Sequence, residues 1–246
     1  MPATPAWPPR STPRLFVDRE IVPGSLRIDG PAAHYLISVM RTKAGDPIKL
    51  FDDISGEWLG VANTVNRRDL ILDIADHLRA REPVPDLWLC AAPLKKGRID
   101  WLVEKACELG VGRFVPVVTR RSVVEKLKAE RLRAHMIEAA EQCDRTALPE
   151  LADAVKLDAL LRDWPEGRTL LFADELGGAP AAQAMAAHKG PAAILIGPEG
   201  GFDDSERAAI KALPQAVAIG LGPRILRAET AGLAAVAVWM SAAGDW

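Results

Sequence analysis

Ile194-Leu-Ile-Gly-Pro-Glu-Gly-Gly-Phe-Asp-Asp-Ser-Glu206 runs from an apolar triplet through a glycine-rich turn into a polar segment. The apolar stretch from Ala192 to Ile196 is short, continuous and bounded by a turn signal, which predicts a buried strand. Asp203 and Glu206 carry the spacing of a capping box. The aspartate accepts from first-turn amides while the glutamate reaches back, so a helix is expected to open near Asp203. Between strand and helix, Gly197, Gly200 and Gly201 let backbone approach a bound molecule closely. The spacing fits neither the phosphate-binding loop, which needs a following Lys-Ser or Lys-Thr, nor the Gly-x-Gly-x-x-Gly dinucleotide fingerprint. A tight turn without a ligand is the alternative that this segment alone leaves open.

The same rhythm extends in both directions. Further strands are expected at Leu87 to Ala92, Arg113 to Val118, Thr169 to Ala173 and Ala216 to Gly220, with helices beginning near Arg98, Ala129, Ala179 and Glu229. In the first of these, Ile99, Leu102, Val103, Ala106 and Leu109 recur at intervals of three and four, and Gly110 is placed to end the helix. Short apolar strands alternating with amphipathic helices predict a mainly parallel sheet covered on both faces, an α/β domain. Ligands on such sheets bind in loops beyond the carboxyl ends of the strands. Two more of those loops are rich in functional groups. Ile219-Gly-Leu-Gly-Pro-Arg-Ile-Leu-Arg-Ala-Glu-Thr-Ala231 packs two glycines, two arginines and a carboxylate between apolar elements, and Phe172-Ala-Asp-Glu-Leu-Gly177 ends another strand. Together, three such loops can enclose a base and a ribose.

The N-terminal part follows a different pattern. Short strand-like runs at Arg14 to Val17, Pro47 to Phe51, Glu57 to Ala62 and Leu70 to Ile74 are separated by Gly24, Gly45, Asp46 and Gly56, as in a small β-rich barrel. One helix, Pro31 to Arg41, is expected to interrupt it. Arg81-Glu-Pro-Val-Pro-Asp86 has two prolines that resist helix and sheet interior alike, which makes it a linker between domains at 1–82 and 83–246.

The composition of the 246 residues, 49 % hydrophobic and 26 % charged, is that of a globular chain. No apolar run approaches the ~18 residues of a membrane span, and Met1 to Pro13 lacks the apolar stretch of a secretory signal, so a cytoplasmic protein with no membrane partner is expected. Cys90, Cys107 and Cys143 are spaced for neither a disulfide framework nor a zinc site; reduced, packing cysteines and no metal are the expectation. The formal net charge is −2, yet residues 95–133 hold eleven Lys and Arg against five acids, and residues 134–246 hold nine against sixteen. Such a basic segment is either a nucleic-acid footprint or a solvated helical face.

Taken together, these motifs resemble the RsmE family, ribosomal small-subunit RNA methyltransferases that modify N3 of a uridine. The resemblance rests on Leu-Ile-Gly-Pro-Glu-Gly-Gly-Phe (195–202), Leu-Gly-Pro-Arg-Ile-Leu-Arg-Ala-Glu-Thr-Ala (221–231), Glu-Lys-Ala-Cys-Glu-Leu-Gly (104–110), Glu-Ala-Ala-Glu-Gln-Cys-Asp-Arg (138–145), and an N-terminal Arg-Leu-Phe-Val with His34 to Arg41. It implies a PUA-like β-barrel for RNA at 1–82, followed at 83–246 by a SPOUT-type parallel-sheet domain with a C-terminal trefoil knot. It further implies S-adenosylmethionine as cofactor, a homodimer, and small-subunit ribosomal RNA or the 30S subunit as partner.

For the cofactor, the resemblance singles out Leu195, Gly197, Pro198, Gly200, Ile219, Leu221 and Leu226. Arg227 and Glu229 are the expected catalytic pair: an arginine beside the uracil oxygens stabilises developing negative charge, and a carboxylate accepts the N3 proton. The competing roles are phosphate binding by Arg227 and helix capping by Glu229. Lys95, Lys96, Arg98, Arg120 and Arg121 lie near expected strand ends, where they neutralise phosphates and make binding salt-sensitive. Gln142 and Arg145, which match another motif of the family, contact RNA, order the knot, or form an internal hydrogen-bonded support. Three other functions compete: a non-catalytic RNA-binding assembly factor, a methyltransferase for another RNA, and an enzyme acting on a phosphorylated metabolite through the Gly200 and Gly201 amides.

Overall fold

The computed structural model describes residues 8, 11–124 and 127–246. Most of Met1 to Pro13, from which the absence of a leader was inferred, and Glu125 and Lys126 of the basic segment lie outside the described residues. The chain divides into two compact units, one formed by residues 1–83 with 140–147, the other by 84–139 with 148–246.

The first unit contains β1 (Arg14–Phe16), β2 (Gly24–Ile28), α1 (Gly30–His34), a π-helical turn (Tyr35–Val39), β3 (Pro47–Phe51), β4 (Glu57–Val65) and β5 (Leu70–Arg79). The strands form one five-stranded sheet in the order β1-β3-β4-β5-β2. All of its pairings are antiparallel except β1 with β3, which is parallel. Period-two alternation sets its inner face: Leu70, Leu72 and Ile74 of β5 join Leu26, Ile28, Ile48, Leu50 and Ala62 in one cluster. The helix expected over Pro31 to Arg41 is shorter and changes pitch at Tyr35, ending before Arg41, whose φ of 57° belongs to the left-handed region. Strand β2 was not expected, because only Leu26 and Ile28 of its five residues are buried and apolar.

Arg14 ties this unit together. Its Nε lies 2.5 Å from Glu57 Oε1, and its guanidinium sits 3.7 Å from the Phe51 ring centre. The same side chain donates to Ala140 O and, at 2.7 Å, to Arg145 O, which binds residues 140–147 into the unit. Arg79 completes the group from the other side, with Nε 2.9 Å from Glu57 Oε2. Burial raises the proton affinity of Glu57, but the hydrogen bonds from Arg79 and Arg14 outweigh it and hold the carboxyl below its ordinary 4.5.

The second unit is built from β6 (Leu87–Ala91), α2 (Arg98–Glu108), β7 (Arg113–Val118), α3 (Ala129–Gln142, whose last residues belong to the first unit), β8 (Glu150–Leu151), β9 (Val155–Lys156), α4 (Leu157–Arg162), β10 (Thr169–Ala173), β11 (Ala179–Pro180), α5 (Ala181–Ala187), β12 (Ala192–Ile196), α6 (Asp204–Ala212), β13 (Ala216–Gly220) and α7 (Ala228–Ala243). The sheet order is β11-β13-β10-β12-β6-β7-β8, with β9 also on β7, and every pairing is parallel. Helices cover both faces. Ala192, Ile194 and Ile196 of β12 enter a core shared with α2, α3, α5 and α7, while Ala193 and Leu195 enter the opposite core with Leu157 of α4 and Ile210 of α6. This two-sided burial explains why the strand is continuously apolar rather than alternating. Gly110, at φ 94°, ends α2 by adopting a conformation that a side chain disfavours.

Cys90 and Cys107 are buried, as packing cysteines should be, and burial pushes the Cys90 thiol up to about 12. Cys143 is exposed, so a packing role does not hold for it.

Candidate functional site

The carboxyl ends of β10, β12 and β13 point the same way because the strands are parallel and adjacent, and the loops that follow them meet. They enclose a cavity of 690 Å³ lined by residues 173–177, 196–202 and 219–228, with Ala231. This volume lies within the roughly 300–1,000 Å³ typical of small-molecule sites. Its walls combine apolar Ile196, Ile219, Leu221 and Leu226 with carboxylates (Asp174, Glu175 and Glu199) and cations (Arg224 and Arg227).

Local chemistry fixes the turn between β12 and α6. Asp203 Oδ1 accepts from Glu206 N at 2.8 Å and Glu206 Oε2 accepts from Asp203 N at 3.0 Å, which completes the expected capping box. The Glu206 amide, the Ser205 hydroxyl and Arg120 hold the Asp203 carboxyl down to about 2. Glu206 Oε1 also accepts from Arg120 N at 2.7 Å, and Arg121 Nη1 donates to Gly200 O at 2.6 Å. The loop after β7 therefore braces the glycine turn. Gly201 takes φ 67°, and a Cβ built there would lie 2.5 Å from Glu175 Oε1, so backbone and carboxylate touch where only glycine fits.

Of the residues expected at the cofactor site, Gly197, Pro198, Gly200, Ile219, Leu221 and Leu226 line the cavity. Leu195 does not. Strand alternation turns its side chain into the core beside Phe202 and Ile210, where it is fully buried. Arg227 lines the cavity and is exposed. Glu229, two residues on in the first turn of α7, is buried beside it without lining the cavity. Its Oε1 lies 3.7 Å from Arg98 Nε, and its Oε2 has no hydrogen-bond donor.

The basic residues divide into groups. Lys95 and Lys96 are exposed. Arg98 bridges two carboxylates, with Nη1 3.2 Å from Glu199 in addition to its contact with Glu229, so its charge is already engaged. Arg120 is exposed and 3.1 Å from Asp203. Within the other unit Gln142 is exposed, whereas Arg145 is only 6 % exposed, with Nε 3.4 Å from Glu82. Of the roles open to Arg145, its burial and its contact with Glu82 favour internal support. Asp174, Glu175, Glu199 and Arg224 also line the cavity without being among the expected site residues; their signal in the sequence is charge placed soon after an apolar strand.

Comparison with known proteins agrees with this geometry. The chain matches the family model described as RNA methyltransferase domain over residues 80–240 and that of the RNA methyltransferase PUA domain over residues 28–74. The ribosomal RNA small subunit methyltransferase E of Bacillus subtilis is 31 % identical, over 85 % of this chain and 87 % of that protein. Its counterpart in Rickettsia conorii is 28 % identical, over 83 % and 84 %. A methyltransferase from Legionella pneumophila, solved in complex with bound S-adenosylmethionine, superposes with a TM-score of 0.85 at 29 % identity, covering 96 % of this chain and 99 % of that one. With a family model over most of its length and relatives of one kind matched over more than four fifths of theirs, this chain belongs to the ribosomal RNA small subunit methyltransferase E family.

Proposed function

We propose that the chain transfers a methyl group from S-adenosylmethionine to N3 of a specific uridine in 16S ribosomal RNA, acting on the small subunit. The observation that carries this reading is the meeting of three strand-end loops around one cavity with arginines at its rim. The residues present fit the cofactor. Ile219, Leu221 and Leu226 offer apolar walls to an adenine, Gly197, Pro198 and Gly200 bring backbone within reach, and Glu175 and Glu199 face a ligand that carries positive charge. When bound, the cofactor supplies a methyl group activated by attachment to a sulfonium.

The chain's own groups handle the nucleotide. Arg227, at the rim, places a permanent cation where the uracil oxygens gain negative charge as N3 is deprotonated. Glu229 is assigned as the acceptor for the N3 proton; its carboxylate is buried outside the cavity lining, so the start of α7 must shift for the uracil to reach it. Arg98 holds one oxygen of that carboxylate, a function distinct from the phosphate contact expected of it. Lys95, Lys96, Arg120, Arg121 and Gln142 are the groups for the RNA backbone. The family resemblance further supports a PUA-like barrel in residues 1–82, a C-terminal trefoil knot in residues 83–246, a homodimer and a cytoplasmic setting.

The test is transfer of a labelled methyl group to unmodified small subunits, with free ribosomal RNA and transfer RNA in parallel and the product nucleoside identified by mass. Appearance of N3-methyluridine in the small subunit is the expected outcome. Cofactor binding with no transfer to any of the three would refute the assigned substrate, and would leave a non-catalytic assembly role as the better account.

A further inference from the structure

Behind the cavity loops lies a buried cation, Arg207, that the proposed chemistry does not use and that meets the carboxylates of Asp174 and Glu175. Arg207, on α6 and 8 % exposed, donates through Nη1 to Asp174 Oδ1 and through Nη2 to Glu175 Oε1 at 2.6 Å, and reaches Phe202 O at 3.5 Å. The Asp174 side chain is fully buried, and the residue is held from several elements. Its N donates to Ile219 O at 3.2 Å, its Oδ1 accepts from Leu176 N at 3.1 Å, and its Oδ2 lies 3.0 Å from Lys211 Nζ. A single guanidinium thus links the loop after β10, the end of the glycine turn after β12 and, through Asp174, the strand β13.

We propose that Arg207 is a positioning residue for the cofactor wall: its planar fork sets Glu175 against Gly201 and fixes the 174–177 loop as one side of the cavity. This rests on the reading of that cavity as the S-adenosylmethionine site. Two adjacent carboxylates at a strand end repel one another and favour an open loop. A cation alone would neutralise them, but a planar group with two parallel N–H donors also fixes their spacing. Lys211 already supplies charge to Asp174 without touching Glu175, and its side chain is half exposed. The geometric task therefore falls to Arg207. Its action is on binding of the small molecule, and neither the RNA surface nor the chemical step depends on it directly.

The experiment is calorimetric titration of S-adenosylmethionine into wild-type protein and the Arg207→Lys, Glu175→Gln and Lys211→Ala variants, with RNA affinity and thermal unfolding measured on each. Arg207→Lys keeps the charge and loses the fork. It is expected to weaken cofactor binding about tenfold, the scale of one charge-assisted hydrogen bond lost, and to leave RNA affinity unchanged. Glu175→Gln leaves the Asp174 pairing intact and is expected to give a smaller loss. Combined with Arg207→Lys it adds little, because both act through one contact. Lys211→Ala is expected to bind as wild type does. Normal cofactor affinity in Arg207→Lys, or fully additive losses in the double variant, overturns the proposal. A wild-type protein that binds no S-adenosylmethionine overturns the cofactor assignment and this inference with it. That outcome is distinct from one in which wild type and Arg207→Lys bind equally.

Discussion

Replacing Gly178 by alanine tests whether close backbone packing sets the floor of the cavity. Gly178 directly precedes β11, whose Ala179 and Pro180 pair with Ile219 and Gly220 of β13. A Cβ added at Gly178 would lie 2.5 Å from the carbonyl carbon and oxygen of Ala218 and 2.7 Å from Ile219 N, where ordinary contact begins at 3.4 Å. These are backbone atoms, so no rotamer change relieves the clash, and the two strands must part by about 1 Å. Overpacking of this kind costs about 1–3 kcal/mol. At about 2–4 °C per kcal/mol for a chain of this size, the melting temperature should fall by roughly 2–12 °C. Because Ile219 and Gly220 line the cavity, displacement of β13 should also weaken S-adenosylmethionine binding, by about tenfold for each 1.4 kcal/mol that reaches the site. Gly167→Ala is the matched control: nothing lies within 4 Å of its added Cβ, and it is expected to unfold at or slightly above the wild-type temperature. Scanning calorimetry and cofactor titration on both variants decide the matter. A Gly178→Ala protein that melts and binds as wild type does would show that β11 and β13 are not held in this register by contact, and the account of the cavity floor would be wrong.

Arg14→Met leaves Glu57 buried with only the half-exposed Arg79, a loss of about 3 kcal/mol in the N-terminal unit. Calorimetry should show an early transition for that unit with cofactor affinity unchanged, and an unaltered unfolding profile refutes the role of Arg14. Acid should weaken the same unit. Glu57 is held below its ordinary 4.5, and Asp52 below 3.8, where the Ser55 hydroxyl and the Ile21, Ile54 and Ser55 amides outweigh its burial. Folded values below unfolded ones mean stabilisation that is complete above the ordinary values and lost as the pH falls past them; denaturant melts across that range should show the decline, and a flat profile contradicts it. Arg120→Ala should lower RNA affinity and reduce the slope of log affinity against log salt by about 0.7–1, whereas Arg121→Ala, which removes the brace on Gly200, should lower cofactor affinity as well. Filter-binding titrations at several salt concentrations together with cofactor calorimetry separate the two.

Local signals disclosed most of the second unit. The ends of β7, β10, β12 and β13 coincide with their apolar runs, and the capping box at Asp203 places the start of α6. Weakly signalled elements escaped: β2, with two buried apolar residues, and the six-residue α4, which is too short to show a period. The convergence of three loops followed from parallel strands, yet their individual contacts did not. Leu195 sits in the motif but faces away, because alternation along a strand buried on both sides gives no sign of which face holds the ligand. Arg98 read as a phosphate contact, and Arg145 stayed open between RNA contact and internal support, because a sequence carries no record of the distant carboxylates, Glu82, Glu199 and Glu229, that engage them. Arg207 was overlooked for the same reason.

Residues 140–147 have a bearing on how the protein is made. The first unit takes acceptors for Arg14 from Ala140 and Arg145, and Thr146 Oγ1 accepts from the Glu82 amide at 2.9 Å, so its bonds are incomplete until the chain has grown well past its own strands. During synthesis from the N-terminus, the sheet of β1 to β5 emerges early and must wait, with the Arg14 guanidinium and the Glu57 carboxylate lacking part of their setting, until residue 147 has followed. The same dependence means that a fragment cut at residue 83 carries every strand of the unit but not the whole of its interior. Grafting residues 1–83 onto another protein would transfer a sheet that is missing its last partner.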